Sequence, residues 1–506
     1  MYDAHELLPV AVTDARGMTV GAAYNMRLLQ PWRVTEPNGA STCVTYSPIG
    51  LPERQFVAGR EEPGRPAEGG TAETAEISYA YDFLRAEAGG AGPAPIYVHT
   101  YRRVQHRSAL VEEENARRAE AGRPALSDAE LAALFPADPV EEARRFPERF
   151  IQSREYSDGF GRLVQTRAQA ADLVLGAQGD DAGLGAAPGS APEPAVGRRA
   201  DDGVVVSGWE RFDNKGRVVE RFEPFFAAGW AFQPEAEAAR GARASLFYDP
   251  RGQVVRTRGP DGSQQRVVFG RPAGAEALAL TPAGLAASDA PGGFAPTPWE
   301  RYTYDANDLA ELTHPGGAGA PAEHHFTPAS VVLDALGRAV CAVARNGPSA
   351  AQWHLTRFSY DIRGNLRAVT DALGRLAFSY HYDLLDRALA VESVDAGRRS
   401  SVLDALGNPV EHRDSKGSLA LRRYNELGRL SELWARDRAG DQLTLRERLH
   451  YGDDGDAGDR DAARLRNALG RLVAHYDEAG LLETLAYDFK GNPLEQARRT
   501  IRDDRL

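Results

Sequence analysis

Cysteine is nearly missing from this chain: Cys43 and Cys341 are the two among 506 residues, and they stand far apart. That excludes a disulfide framework and any zinc-type cysteine spacing. No apolar run reaches the roughly 18 residues that a membrane helix needs. The N-terminal stretch has neither the basic start nor the apolar centre of a secretory signal. Clustered positive charge is lacking as well, since 60 Lys and Arg face 72 Asp and Glu for a net charge of -12, with both signs interspersed. Nucleic acid and anionic membranes reward a continuous basic patch, so neither is expected as a partner, and no membrane insertion by this chain is expected.

Catalytic motifs are also missing. There is no Gly-x-Ser-x-Gly elbow, phosphate loop or dinucleotide fingerprint. His324-His325 is the only adjacent histidine pair, and no His-Glu-x-x-His string accompanies it. Asp453, Asp454, Asp456, Asp459 and Asp461 lack the alternating spacing, central glycine and closing glutamate of a calcium loop. They read as a solvated loop. The expectation is a chain with no catalytic residue, no cofactor and no metal.

What the chain does have is a repeat. Tyr360-Asp361 and Tyr382-Asp383 are 22 positions apart, Leu403 follows after 21, and Tyr424 after 21 more; Tyr2, Tyr24 and Tyr46 are again spaced by 22. Tyr304-Asp305, Tyr476-Asp477 and Tyr487-Asp488 carry the same dipeptide. Self-similarity of about 20 to 50 residues marks a repeat architecture. Within one unit Asp-x-x-Gly occurs twice, at Asp361 to Gly364 and at Asp371 to Gly374, and Gly428 closes a later copy. Aspartate there accepts hydrogen bonds from the turn's amides, and glycine takes the positive φ of a type I turn with a bulge. Leu376, Phe378, Tyr380 and Tyr382 alternate with polar residues, as on a half-buried strand. Each unit is therefore two strands and two turns, and because one hairpin is marginal in water, the units must stack edge to edge. The fold class predicted is all-β: stacked hairpin repeats in a curved or spiralling, shell-like sheet with a short helical insertion.

Five segments follow from composition. A β-repeat region spans 1–110, with a loop at 61–75. The stretch 111–147 turns to Glu, Ala and Arg with a capping box at Ser127 and Glu130 that would start a helix. A second β region covers 148–270 and contains a mobile loop at 170–202. Residues 271–297 read as a loose linker, and 298–506 as a dense repeat region with polar insertions near 313–324 and 452–463.

The Tyr-Asp repeat with its Asp-x-x-Gly-Arg/Asn turns resembles the Rhs/YD-repeat proteins. A sharper resemblance lies in three strings: Arg-Glu-Tyr-Ser-Asp-Gly-Phe-Gly-Arg (154–162), Ser-Gly-Trp-Glu-Arg-Phe-Asp-Asn-Lys-Gly-Arg-Val-Val-Glu-Arg-Phe-Glu-Pro-Phe-Phe (207–226) and Leu-Phe-Tyr-Asp-Pro-Arg-Gly-Gln-Val-Val (246–255). These are similar to the C-terminal part of the B component of bacterial insecticidal toxin complexes. The resemblance implies a hollow β-shell that encloses a toxic polypeptide, keeps it unfolded and passes it to a channel. It implies other toxin-complex chains or the encapsulated polypeptide as partners, and a secreted or extracellular location as part of a complex, cytoplasmic before export. Met1-Tyr2-Asp3 falls inside a repeat, so the chain is expected to start within the family architecture, either with a partner supplying the rest or as a fragment of a longer toxin reading frame.

Two further readings stay open. A tyrosine-lined β-surface also suits an adhesion module that binds a host-surface glycan or protein; a shell would bury its aromatics in the wall, whereas an adhesin would expose a cluster. An enzyme with a site assembled from loops is the third. Asp249-Pro250-Arg251-Gly252 has the letters of the self-cleavage string of Rhs cores, but its position before a strand makes it a turn. Glu235-Ala-Glu237 is a two-glutamate string of the kind ADP-ribosyltransferases use, here without their Ser-Thr-Ser strand partner.

Overall fold

Several of the dense repeats close on the same five-residue turn. In Asp361 to Asn365 the aspartate Oδ1 accepts the amides of Arg363 and Asn365, both at 2.9 Å, and Gly364 takes φ 96°. The same pattern recurs at Asp334, Asp371 and Asp383. At Asp383 the left-handed position falls on Asp386, with φ 62°, in place of glycine. A one-residue register shift accompanies these turns, between Ser359 and Tyr360 and between His381 and Tyr382, which is the bulge the turn type requires.

In this computed structural model the described residues are 1–60, 68–83, 95–170, 203–232, 242–316, 321–455 and 457–501. Outside them lie residues 61–67 of the first loop, nearly all of the 170–202 stretch, Glu235-Ala-Glu237, residues 317–320 of the 313–324 insertion and Asp456. The fold is mostly β, in open antiparallel sheets. It divides into two compact units, the first of Met1–Gly159, Leu403–His412 and Lys416–Leu506, the second of Phe160–Val402 and Arg413–Ser415.

In the first unit, strands from Ala11–Thr13 through Thr19–Asn25, Gln30–Thr35, Ser41–Tyr46, Pro52–Ala58, Ile77–Asp82 and Ile96–Arg103 to Phe150–Ser157 are antiparallel neighbours in chain order. So are Leu419–Tyr424, Leu430–Arg436, Thr444–Tyr451, Leu472–Asp477, Gly480–Tyr487 and Pro493–Thr500. Chain-order pairing is what tight turns permit, because each strand finds its partner before the chain can wander.

The helical insertion joins two paired strands, with Ile96 opposite Ser157 and Arg103 opposite Phe150. It holds three helices, Arg107–Glu120, Asp128–Leu134 and Pro139–Arg145. Ser127 and Glu130 form their capping box at the second. The first begins earlier than the 111 boundary read from sequence, because His106 caps it without any side-chain bond and so leaves no start signal. Glu142 fastens the insertion to the sheet through a buried two-pronged pair with Arg103, at 2.7 and 2.6 Å.

The second unit places Val218–Phe222, Arg243–Tyr248, Val254–Arg258, Gln264–Pro272, Phe294–Tyr304, Ala329–Leu333, Ala339–Arg345, Trp353–Tyr360, Leu366–Thr370, Leu376–Tyr382 and Ala388–Ser393 side by side in that order. Residues 271–297 correct the loose-linker reading. Leu278, Leu280, Leu285 and Phe294 are buried against Val268, Tyr302, Tyr304 and Leu309, so this segment is a packed lid over the sheet. Short turns and a helix at Pro282–Ala286, capped by Thr281, bring those leucines onto one side.

Candidate functional site: a stitched wall and its clasp

Tyrosine hydroxyls join neighbouring strands. Tyr360 ends one strand and donates to the carbonyl of Ala339, first residue of the strand before it, at 2.8 Å; Tyr382 does the same to Leu366 at 2.9 Å. Tyr24 reaches Pro9, Tyr46 reaches Pro31, Tyr424 reaches Pro409 and Tyr487 reaches Leu472. Tyr248 and Tyr451, which the spacing did not single out, repeat the bond to Val218 and Leu430.

The residue after the turn glycine completes the stitch. Arg338 pairs with Asp334 at 2.7 Å and lays its guanidinium 4.6 Å from the centre of the Tyr360 ring. Arg217 does this with Asp213 and Tyr248. Arg375 and Arg387 pair with Asp371 and Asp383. Backbone amides, first among them that of Arg387, hold the Asp383 carboxyl below the usual carboxylate range, and the amide of Arg375 does likewise at Asp371. The Asp-x-x-Gly-Arg string is thus a local circuit of turn amides, carboxylate, guanidinium and the next ring.

The other repeat positions named from sequence divide. Gly374 and Gly428 take φ 78° and 71°. Tyr304 is fully buried and donates to Leu278 of the lid, at 3.0 Å, while Asp305 caps its own turn. Asp488 accepts from Asn492. Tyr2 is exposed and makes an isolated bridge to Pro9. Tyr476 sits edge-on to His450, 5.9 Å away, and Asp477 pairs with Arg498 across the strand, so this dipeptide does not repeat the stitch.

The later strands of the second unit have little behind them. Of the described residues from Trp353 to Val402, the hydrophobic side chain of Ala390 alone is buried. Phe378 stacks on Tyr380 at 6.3 Å and Tyr380 lies tilted against Tyr382 at 6.4 Å, with Phe378 still 39% exposed. The aromatics lie along the face of a single layer rather than in a core between two.

The first unit joins its two ends at a seam that periodicity does not reveal. Arg16, on the turn before Thr19–Asn25, contacts Glu426, Asp453 and Asp454, and Arg460 donates to the carbonyl of Arg16. Asn38 exchanges two hydrogen bonds with the backbone of Leu469, both at 3.0 Å. Arg60 donates to the carbonyl of Arg464, and Lys490 pairs with Glu76 at 2.8 Å. At the centre is Asp453, whose side chain is fully buried and also takes two prongs from Arg429, at 3.0 and 2.6 Å, and the amide of Gly470. Burial pushes its carboxyl up, but hydrogen bonds and charge from Arg429, with help from Arg16, outweigh that and hold it low. Asp453 therefore corrects the solvated-loop reading. The polar stretch that follows it folds into a helix, Ala457–Leu465.

The three strings that carry the family resemblance also meet. Trp209 stacks on Phe222 at 3.9 Å within a cluster that includes Phe225. Arg162 lies over the Phe212 ring at 4.3 Å, and Arg217 over Tyr248. Asp249 to Gly252 forms the expected turn, with the Gly252 amide on the Asp249 carbonyl. Among the described residues no group of three metal-ligating side chains occurs, and no helix is long and apolar enough to cross a membrane.

No family model and no curated protein matches the chain. Solved structures do. The crystal structure of TcdB2-TccC3 superposes with a TM-score of 0.71 at 21% identity, covering 100% of this chain and 22% of that one. The same complex without its hypervariable C-terminal region gives 0.68 at 22% identity, covering 100% and 24%. The Photorhabdus luminescens Tc holotoxin pore, with the TccC3 mutation D651A, gives 0.69 at 21% identity, covering 99% and 24%. The chain has the fold of a region of these toxin complexes and spans less than a quarter of their chains' length.

Proposed function

We propose that this chain is a wall segment of a toxin-complex-like shell, enclosing a toxic polypeptide together with other chains and doing so without catalysis of its own. The observation that carries the reading is the repeat sheet from Trp353 to Val402, a single layer in which Ala390 is the one buried residue and which is held by stitches in its own plane. A globular binding or catalytic domain spends its apolar residues on a core between layers. A wall needs stiffness and two accessible faces. The seam in the first unit supports the same reading, since it fastens early repeats to late ones. Other toxin-complex chains are the proposed partners, and the complex acts outside the producing cell.

One observation favours an outward-facing protein contact as a second role. Leu336, Ile362 and Leu384 occupy successive turns along one sheet edge and are 75%, 101% and 86% exposed. Such a row is the sort of apolar surface a partner covers.

Co-expression with the products encoded beside its gene tests the shell reading, with size-exclusion and light scattering followed by protease digestion. A shell segment forms a defined, protease-resistant complex with a neighbour. A well-behaved monomer that ignores every neighbour would overturn the reading.

A further inference from the structure

Asn-Gly occurs twice in the chain, at Asn38-Gly39 and at Asn346-Gly347. This dipeptide can rearrange without an enzyme, because glycine has no Cβ to keep its nitrogen away from the preceding side-chain carbonyl. The structure treats the two copies in opposite ways. Asn38 is 2% exposed and its side chain exchanges two hydrogen bonds with Leu469, while the Gly39 amide is committed to the Glu36 carbonyl at 2.8 Å. Neither the electrophile nor the nucleophile is free there.

Asn346 stands exposed at the start of the turn between Ala339–Arg345 and Trp353–Tyr360. Among the described residues the Gly347 amide has no acceptor. The turn itself is fixed. Ser349 and Gln352 form a capping box within it, and the Asn346 amide donates to the Gln352 carbonyl at 3.0 Å. The fold also demands glycine at 347, since a Cβ there would lie 2.5 Å from the Gln352 side-chain amide. The Gly347 carbonyl accepts from the Trp353 indole at 3.2 Å.

The strand register sets an imidazole against the group that would leave. His354 is opposite Ala344, two residues before Asn346, and its Nε2 lies 3.2 Å from Asn346 Nδ2. That is within the reach of a general acid, and histidine is the side chain that serves as one most often. His354 is exposed, so it exchanges protons with solvent freely. An accessible side-chain amide, an uncommitted glycine nitrogen and a proton donor on the leaving nitrogen thus share one rigid turn.

We propose that Asn346 is a site of self-deamidation in the folded chain, with His354 as the general acid. The Gly347 nitrogen gives its proton to water and bonds to Asn346 Cγ. The Cγ–Nδ2 bond then breaks as His354 Nε2 supplies a proton, and ammonia leaves. The cyclic succinimide takes up one water at either carbonyl, which yields aspartate or isoaspartate at position 346, and the imidazole recovers its proton from solvent. The product adds a negative charge to the turn. Isoaspartate also lengthens the backbone by one methylene between Arg345 and the carbonyl that anchors Trp353. The site is independent of the shell reading and can stand or fall without it.

The full chain is held at neutral pH over weeks, folded and in urea, and peptide mapping by mass spectrometry measures aspartate and isoaspartate at both asparagines. In the folded chain Asn346 is expected to convert roughly tenfold faster than Asn38 or more, and at least as fast as it does in urea. His354→Gln, a change at an exposed position, should slow Asn346 severalfold in the folded chain, leave Asn38 unchanged and make no difference in urea. A folded rate at Asn346 below its rate in urea overturns the proposal, and that outcome needs only the native chain. So does an unchanged rate in His354→Gln, or a slowing that persists in urea.

Discussion

Arg16 and Asp453, 437 positions apart in the chain, meet at 3.4 Å in the first unit, with the aspartate wholly out of contact with water. Arg429 grips the same carboxylate from a neighbouring late repeat. Removing one partner of such a group leaves buried charge behind, which is why its loss costs more than the pair contributes.

Asp453→Ala is therefore expected to destabilise the first unit by about 3 kcal/mol. Chemical denaturation measures it, and hydrogen exchange of the turn around Arg16 should lose protection first. Acid should act in the same direction. Because the folded carboxyl is held low, its contribution is complete above the unfolded value near 4 and disappears as pH falls through the lower folded value. The variant should lack that part of the acid dependence.

Tyrosine stitches separate from tyrosines that merely share the dipeptide. Tyr382→Phe leaves the Leu366 carbonyl without its hydroxyl and should cost about 1 kcal/mol. Tyr476→Phe, with no carbonyl partner among the described residues, should be close to neutral. Paired denaturation curves decide; equal costs would contradict the stitch.

Gly374 isolates the backbone term of the turn. A Cβ there meets nothing within 4 Å, while φ is 78°. Gly374→Ala should cost about 1 to 2 kcal/mol from the left-handed conformation alone. Gly374→Asn should cost less, since asparagine tolerates that region. Thermal unfolding of the two variants side by side checks the order.

His99 supplies a second pH dependence. Burial, and then the charge of Arg154, lowers its pKa to about 4. The unfolded chain takes up the proton near pH 6.5 and the folded chain does not, so stability falls as pH drops from about 6.5 toward 4. The full effect is roughly 3 kcal/mol. His99→Gln should flatten the stability profile over that window.

The repeat was legible because its information is local. Aspartate, glycine and arginine of one turn, with the tyrosine about one period away, contain nearly all the bonds that define them. Three features were hidden for physical reasons. Asp453 owes its place to Arg16, hundreds of positions earlier, and a run of aspartates looks solvated until that partner is present. Leu278, Leu280 and Leu285 lie in alanine-, glycine- and proline-rich sequence with no single period, so their common burial follows from the sheet beneath. The helix beginning at Arg107 has no side-chain cap, so nothing in its first residues marks the start.

The most direct test of the wall is to label its two faces separately. Phe378 and His381 lie on opposite faces of the strand Leu376–Tyr382. Phe378→Cys and His381→Cys, each in a background with Cys43 and Cys341 replaced by alanine, would be reacted with a small maleimide and with a polymer-linked one, in the complex formed with the neighbouring gene products. A wall enclosing a polypeptide predicts that the small reagent labels both positions and the bulky one labels a single face. Equal labelling of both faces by the bulky reagent would contradict it.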